Sequence, residues 1–146
     1  MSETTREKLL KTALVAFGAI FLLVYPLSLI WPSGWQWHGG EGRYYFQMIC
    51  GIYFVLGLYL IAAARNPQAH RSLISFAVWS SVAHATIMAA QSIYDPHERG
   101  HLVGDVPALL LVAVVLGFLF PSRAKTPRAS SKTASVFLRK AGGQGT

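Results

Sequence analysis

The chain has 146 residues, of which 53% are apolar and 13% are charged, and its formal net charge is +7. Soluble domains carry about 25% charged residues, so this composition excludes an ordinary soluble domain. The single cysteine, Cys50, excludes an intramolecular disulfide, a Cys-x-x-Cys redox pair and a cysteine-rich zinc site. It also excludes the small membrane enzymes that pass electrons from dithiols to quinone, because those enzymes need paired cysteines.

The apolar residues are gathered into four segments of membrane length. A bilayer core of about 30 Å requires roughly 20 helical residues, and the segments are residues 9–31, 44–64, 72–94 and 102–120. Backbone polar groups inside lipid must bond within their own segment, which favours helices. The sequence therefore predicts an all-α, four-helix transmembrane bundle over residues 9–120, with residues 1–8 as a cytoplasmic segment. Pro26 should kink the first helix, because it removes one backbone donor.

The distribution of Lys and Arg predicts the orientation of this bundle. With the N-terminus in the cytoplasm, eleven of the 13 basic residues lie inside, and only Arg43 and Arg99 lie in the outer loops. The reversed topology would violate the positive-inside rule. We therefore expect a multi-pass protein of the cell inner (plasma) membrane with both termini in the cytoplasm.

A basic tail accounts for most of the net charge. Residues 121–146 hold six Lys and Arg residues and no acid, and are rich in Ser, Thr, Ala and Gly. This composition is typical of a disordered segment. We expect the tail to face an anionic lipid surface or to act as a solvated topology anchor, and we expect no nucleic acid partner.

Polar residues inside the predicted helices suggest a functional site, because such residues cost free energy in lipid. On the third helix His84, Gln91 and Asp95 follow a spacing of three to four residues, which places them on one stripe. His101 and Asp105 lie at i and i+4 at the start of the fourth helix. Together with two residues of the second helix they form a predicted polar cluster in the outer half of the bundle: Arg43, Gln47, His84, Gln91, Asp95, His101 and Asp105.

Three interpretations of the predicted polar cluster stay open. In the first, His84, His101 and Asp105 bind a metal ion, since an i,i+4 His/Asp pair and a ligand from a neighbouring helix can converge on one ion. His97, or Glu98 in the outer loop, could replace one of these ligands. The spacing permits a metal site but is not diagnostic of one.

The second interpretation is ligand binding or proton relay. Histidine is suited to exchanging protons near neutral pH, so the cluster could polarise a bound small molecule such as a quinone or a lipid. The candidate residues for this role are Arg43, Gln47, His84, Gln91 and Asp95.

The third interpretation is purely structural. Arg43 would pair with Asp95 or Asp105, and His84 and Gln91 would form hydrogen bonds between helices. Each such bond contributes about 0.6 kcal/mol on average.

Part of the chain also resembles a known group of proteins. The residues that carry the resemblance are Gly51-Ile52-Tyr53 with Gly57, Ser80-Ser81-x-x-His84, and Gly100-His101-Leu102-x-Gly104-Asp105-x-Pro107. In these residues the segment 42–109 is similar to a family of small, functionally uncharacterised bacterial four-helix membrane proteins. In general shape it resembles the DoxX-like group. The resemblance implies a four-helix fold and no activity, and it implies that His84, His101 and Asp105 belong to the family pattern.

The sequence thus predicts a small integral membrane protein, either an accessory or a ligand-binding protein. The alternative is a membrane-embedded oxidoreductase, or a subunit of one, that uses the cluster for metal, quinone or proton chemistry. The pattern identifies no cofactor and leaves open whether a reaction is catalysed. The expected partners are the lipid bilayer and either a second copy of the chain or another membrane protein.

Overall fold

The computed structural model describes residues 2–32 and 42–120, except for the side chain of Arg43. All regular structure in these residues is helical and they contain no strand, which confirms the all-α prediction. Five α-helices and one 3-10 helix follow one another along the chain: α1 (Glu3–Leu22), α2 (Val24–Ile30), α3 (Gly42–Ala63), α4 (Arg71–Tyr94), the 3-10 helix (Pro96–Leu102) and α5 (Asp105–Phe118). The basic tail predicted at 121–146 lies outside the described residues.

Three stretches of the described chain are long and apolar enough to cross a membrane. They are Tyr44–Ala63 in α3, Arg71–Tyr94 in α4, and Pro96–Phe118, which joins the 3-10 helix to α5. Helices α1 and α2 qualify only as a pair, and a bend of 60° separates them. The described residues therefore hold three candidate spans, or four if the bent pair forms one span.

Pro26 causes the bend between α1 and α2, although the bend lies at Leu23, three residues before the proline. A proline has no N–H to donate to the residue four positions earlier, and its ring clashes with that carbonyl. For Pro26 that residue is Leu22, the last residue of α1. Leu23 leaves the helical conformation, and its N–H bonds to the carbonyl of Ile20 at 2.9 Å. The proline thus ends α1 and lies inside the first turn of α2.

The helices pack as two pairs, α1 on α3 and α4 on α5, and α1 meets α5 over a shorter stretch. Their inward faces are apolar, with Leu14, Leu60 and Ile74 fully buried. Their outward faces are also apolar, and Trp79 and Phe118 are among the large side chains exposed there. Such a surface suits hydrocarbon rather than water.

Two glycines allow α1 and α3 to approach closely. A Cβ atom on Gly57 would lie 2.6 Å from the carbonyl oxygen of Gly18, and one on Gly18 would lie 2.8 Å from the carbonyl oxygen of Gly57. Small residues at helix crossings in membranes permit this backbone contact. Gly51, which also lies on α3, has nothing within 4 Å of its Cβ position.

Contacts at one end of the bundle join the start of α1 to the end of α5. The guanidinium of Arg6 donates hydrogen bonds to the carbonyl oxygens of Phe118 and Phe120. Arg71, the first residue of α4, lies 4.7 Å from the centroid of the Phe120 ring. Arg6 thus satisfies carbonyl groups at the C-terminal end of α5, where the helix leaves its last carbonyls unbonded.

We predict that Gly57→Ala destabilises the bundle, whereas Gly51→Ala does not. The added methyl group at position 57 would collide with backbone, and such overpacking costs about 1–3 kcal/mol. At position 51 the methyl group meets open space, so the better helix propensity of alanine should leave stability equal or slightly higher. Thermal unfolding of both variants in detergent measures this. Equal unfolding temperatures would contradict the backbone contact between Gly18 and Gly57.

Candidate functional site

The site begins at the 3-10 helix that follows α4. The side chain of Asp95 accepts a hydrogen bond of 2.9 Å from the backbone N–H of His97, and Pro96 occupies the first helical position. Both residues favour the start of a helix. A 3-10 helix has three residues per turn, so side chains at i and i+3 project on the same side. The residues aligned in this way are Glu98 and His101.

His101 bonds to two carboxylates at once. Its Nε2 lies 3.2 Å from Oε2 of Glu98, and its Nδ1 lies 3.1 Å from Oδ2 of Asp105. All three residues are buried, with exposed fractions of 5% for Glu98, 0% for His101 and 9% for Asp105. We call these three side chains the buried triad.

The geometry of the buried triad sets a minimum number of shared protons. A neutral imidazole carries one N–H, and an ionised carboxylate only accepts hydrogen bonds. Two hydrogen bonds therefore require at least two protons among the three groups, whether both are on the ring or one is on a carboxyl.

Asp105 is the first residue of α5, where the backbone favours a negative charge. Pro107 lies in the same first turn, a position that tolerates a missing N–H. One oxygen of Asp105, Oδ2, bonds to His101. The other, Oδ1, is buried and has no hydrogen-bond partner among the described residues. A buried acceptor without a partner costs free energy, so this oxygen calls for a donor.

Asp105 also lines a cavity of about 110 Å³ between the helices. The cavity is partly open, and the helices α1, α2, α3, α4 and α5 all contribute to its wall. Most of the wall is apolar. Its aromatic and ionisable residues are Phe17, Phe21, Phe46, Tyr53, His84 and Asp105.

A second polar pair lies in the same cavity wall. The hydroxyl of Tyr53 on α3 is 2.7 Å from Nδ1 of His84 on α4, and their ring centroids are 5.8 Å apart. Phe21 packs against the Tyr53 ring at 4.9 Å. This hydrogen bond links the two helix pairs, and it leaves Nε2 of His84 without a hydrogen-bond partner among the described residues.

Most hydroxyl groups near the site bond to their own helix and need no ligand. Ser80 donates to the carbonyl of Ala77, Thr86 to that of Val82, and Ser92 to that of Met88. Such bonds to the preceding turn are the usual way for Ser and Thr to be satisfied in a helix. These three hydroxyls are therefore satisfied within α4.

The structure brings together only part of the predicted polar cluster. His84 and Asp105 line one cavity, and His101 bonds to Asp105. Gln47 and Gln91 are exposed on the outer faces of their helices, and neither bonds to those three residues. Asp95 is exposed and caps the 3-10 helix. Arg43 belongs to the first turn of α3, but its side chain lies outside the described residues.

The trio predicted to bind metal is divided between two sets of contacts. His84 bonds to Tyr53, while both ring nitrogens of His101 face carboxylates. In residues 2–32 and 42–120, no group of three or more His, Cys, Asp and Glu side chains is arranged to hold a metal ion. This part of the chain therefore gives the metal interpretation no support.

Sequence reasoning did not assign a role to Tyr53 and treated Glu98 as an outer-loop residue that could replace a metal ligand. A signal for Tyr53 was present, because it lies in the middle of its span, whereas membrane tyrosines favour the interface. A tyrosine hydroxyl at that depth needs a partner. Glu98 could not be placed without the 3-10 helix, which turns it inward.

A family model matches residues 4–137, which is most of the chain. The protein belongs to a family of unknown function, DUF6632. No curated protein and no solved structure is similar enough to count as a match. The match agrees with the resemblance to an uncharacterised family, and membership in DUF6632 supplies no activity or ligand. The function must therefore be argued from the site itself.

We predict that His101→Ala destabilises the protein strongly and that His97→Ala does not. Removing the imidazole leaves two buried carboxylates without its N–H groups, and breaking a buried charged group in this way costs about 3–5 kcal/mol. His97 is exposed, and its backbone N–H bond survives in the variant. The test is chemical or thermal unfolding of both variants. Equal stabilities would contradict the bonding of His101 to both acids.

Proposed function

We propose that this DUF6632 protein binds a small, membrane-dissolved molecule in the cavity between its helices. The molecule would have an apolar body and a head group that donates a hydrogen bond. The observation that carries the proposal is the buried Oδ1 of Asp105, which has no hydrogen-bond partner in the described part of the chain and belongs to a residue that lines an apolar cavity. This combination of an apolar wall and a few convergent polar groups is typical of small-molecule sites.

The proposal includes a four-helix bundle with both termini in the cytoplasm. The contacts of Arg6 with the carbonyls of Phe118 and Phe120 support an even number of crossings, because they join the first helix to the end of the last. Arg71 lies at the same end of the bundle. In the sequence, Lys8 and Lys11 are close to Arg6, and Arg65 is close to Arg71. The positive-inside rule then favours the cytoplasm for this end and the outer half of the membrane for the triad.

The size of the cavity limits what can enter it. A dry cavity of about 150 Å³ holds a molecule the size of benzene, so about 110 Å³ holds a head group and a few carbon atoms. A longer apolar molecule would extend through the opening into lipid. A molecule of this kind reaches the cavity from the bilayer and needs no aqueous path. This agrees with the predicted accessory or ligand-binding protein.

A second candidate function is membrane-embedded proton or redox chemistry on a quinone-like ligand. The observation that favours it is the Tyr53–His84 hydrogen bond, which places an exchangeable proton in the cavity wall. Asp105, in the same wall, would be the second proton-exchanging group. Copurification of a quinone or another chromophore with the protein would favour this candidate over simple binding.

The other predicted partners keep the status of predictions. An anionic lipid surface is proposed for residues 121–146 because their charge is wholly basic. A second copy of the chain, or another membrane protein, is proposed because four helices alone enclose little volume. The membrane itself is proposed to be the cell inner (plasma) membrane.

We predict that Ala108→Leu abolishes ligand binding, whereas Ala83→Leu leaves it intact. Ala108 lines the cavity, so a leucine there fills it, while Ala83 is exposed on α4. The measurement is stabilisation of the protein in nanodiscs of neutral phosphatidylcholine by decan-1-ol or decylamine, relative to decane. A bound probe at 100 times its Kd should stabilise the wild type by about 2.7 kcal/mol.

Two outcomes would contradict the proposed function. In one, neither probe stabilises the wild-type protein more than decane does. In the other, a probe binds, but Ala108→Leu and Ala83→Leu retain the same affinity, which would place the bound molecule outside the cavity.

A further inference from the structure

We propose that the molecule bound in the cavity is a lipophilic amine in its protonated form. Its ammonium group would lie against Asp105 among aromatic rings, and its alkyl chain would pass between α1 and α5 into the bilayer. This inference rests on the proposed function and specifies the chemical class of the ligand. Four observations carry it.

The first observation is the chemistry of Asp105. Oδ1 of Asp105 is a buried acceptor with no partner among the described residues, and Asp105 begins α5, where the backbone favours a negative charge. An ammonium group has three donors and no acceptor, so it satisfies such an oxygen without bringing a new acceptor that needs a partner. A hydrogen bond between two charged groups is also roughly twice as strong as one between neutral groups. An alcohol would supply a single neutral donor.

The second observation is the aromatic content of the cavity wall. Phe17 and Phe21 of α1 and Phe46 and Tyr53 of α3 all line the cavity. The face of an aromatic ring attracts a cation, and the attraction grows when the cation is removed from water. A neutral head group would gain no such attraction. Rings on one side and a carboxylate on the other are the elements of an ammonium site.

The third observation concerns the charges that the described part of the wall contributes. Among the residues that the structure describes, no Lys or Arg lines the cavity. The other ionisable side chains of this described wall are Tyr53 and His84, which bond to each other. Asp105 is therefore the one acid that the described wall residues present to a bound molecule.

The fourth observation is the direction in which the cavity opens. Ile20 of α1 and Leu111 of α5 line the cavity, yet 42% and 56% of their surfaces are exposed. They lie on α1 and α5, which meet over a shorter stretch than the two main helix pairs do. A residue that lines a cavity and faces outward marks its edge, so the opening lies on the lipid side of α1 and α5. An alkyl chain that leaves through it remains in hydrocarbon.

The test compares decylamine with decan-1-ol, which share an alkyl chain and differ in the head group. Alkylamines are protonated at pH 7. In neutral phosphatidylcholine nanodiscs, we expect the wild-type protein to bind decylamine roughly tenfold more tightly than decan-1-ol, as a charged hydrogen bond predicts. Asp105→Asn should remove this preference. Asp95→Asn is the matched control, because Asp95 is exposed and asparagine also caps helices.

A second variant keeps the test decisive if Asp105→Asn fails to fold. Phe46→Leu removes one ring from a half-buried position. We expect it to weaken decylamine binding by roughly threefold or more and to leave decan-1-ol binding unchanged, because only the cation interacts with the ring face.

The outcomes separate this inference from the proposed function. If decan-1-ol binds as tightly as decylamine, or more tightly, the amine assignment is wrong and the binding function stands. Equal weakening of both probes by Phe46→Leu would also overturn the assignment. If neither probe binds, the proposed function itself fails.

Discussion

The buried imidazole of His101 is the interaction on which the site depends. It has two ring nitrogens, and both face carboxylates, Glu98 on one side and Asp105 on the other. Because the ring holds only one oxygen of Asp105, the second oxygen remains available in the wall of an apolar cavity. The same contact that stabilises a buried acid therefore also presents an acceptor to whatever occupies the cavity.

Local backbone preferences produce this arrangement. Asp95 and Pro96 start a 3-10 helix, whose three-residue turn aligns Glu98 with His101. Val103 ends the 3-10 helix and Gly104 precedes α5, so that Asp105 begins α5 four residues beyond His101. Elsewhere, Pro26 separates α1 from α2 and allows Val24 of α2 to join the cavity wall. Local rules of helix initiation and termination thus place several residues of a site whose members are far apart in the sequence.

The sequence predicted the helical class and placed His101 and Asp105 on one face at i and i+4, because both depend on spacing along the chain. It did not predict the hydrogen bond between them. It did not predict which faces of the helices turn inward. In a water-soluble helix the polar residues mark the outer face, but in these helices both faces are apolar, and Gln47 and Gln91 were placed in the cluster although they are exposed. Tyr53 was overlooked for the same reason, since only the arrangement of the two helix pairs in space brings its hydroxyl to His84.

The central claim is that Asp105 anchors a molecule in the cavity. Infrared difference spectroscopy of the protein in nanodiscs, with and without whichever decyl probe binds, tests it most directly. The account predicts a change in a carboxylate band on binding, which is lost in Asp105→Asn and retained in Asp95→Asn. A probe that binds in Asp105→Asn with the same carboxylate change as in the wild type would contradict the account.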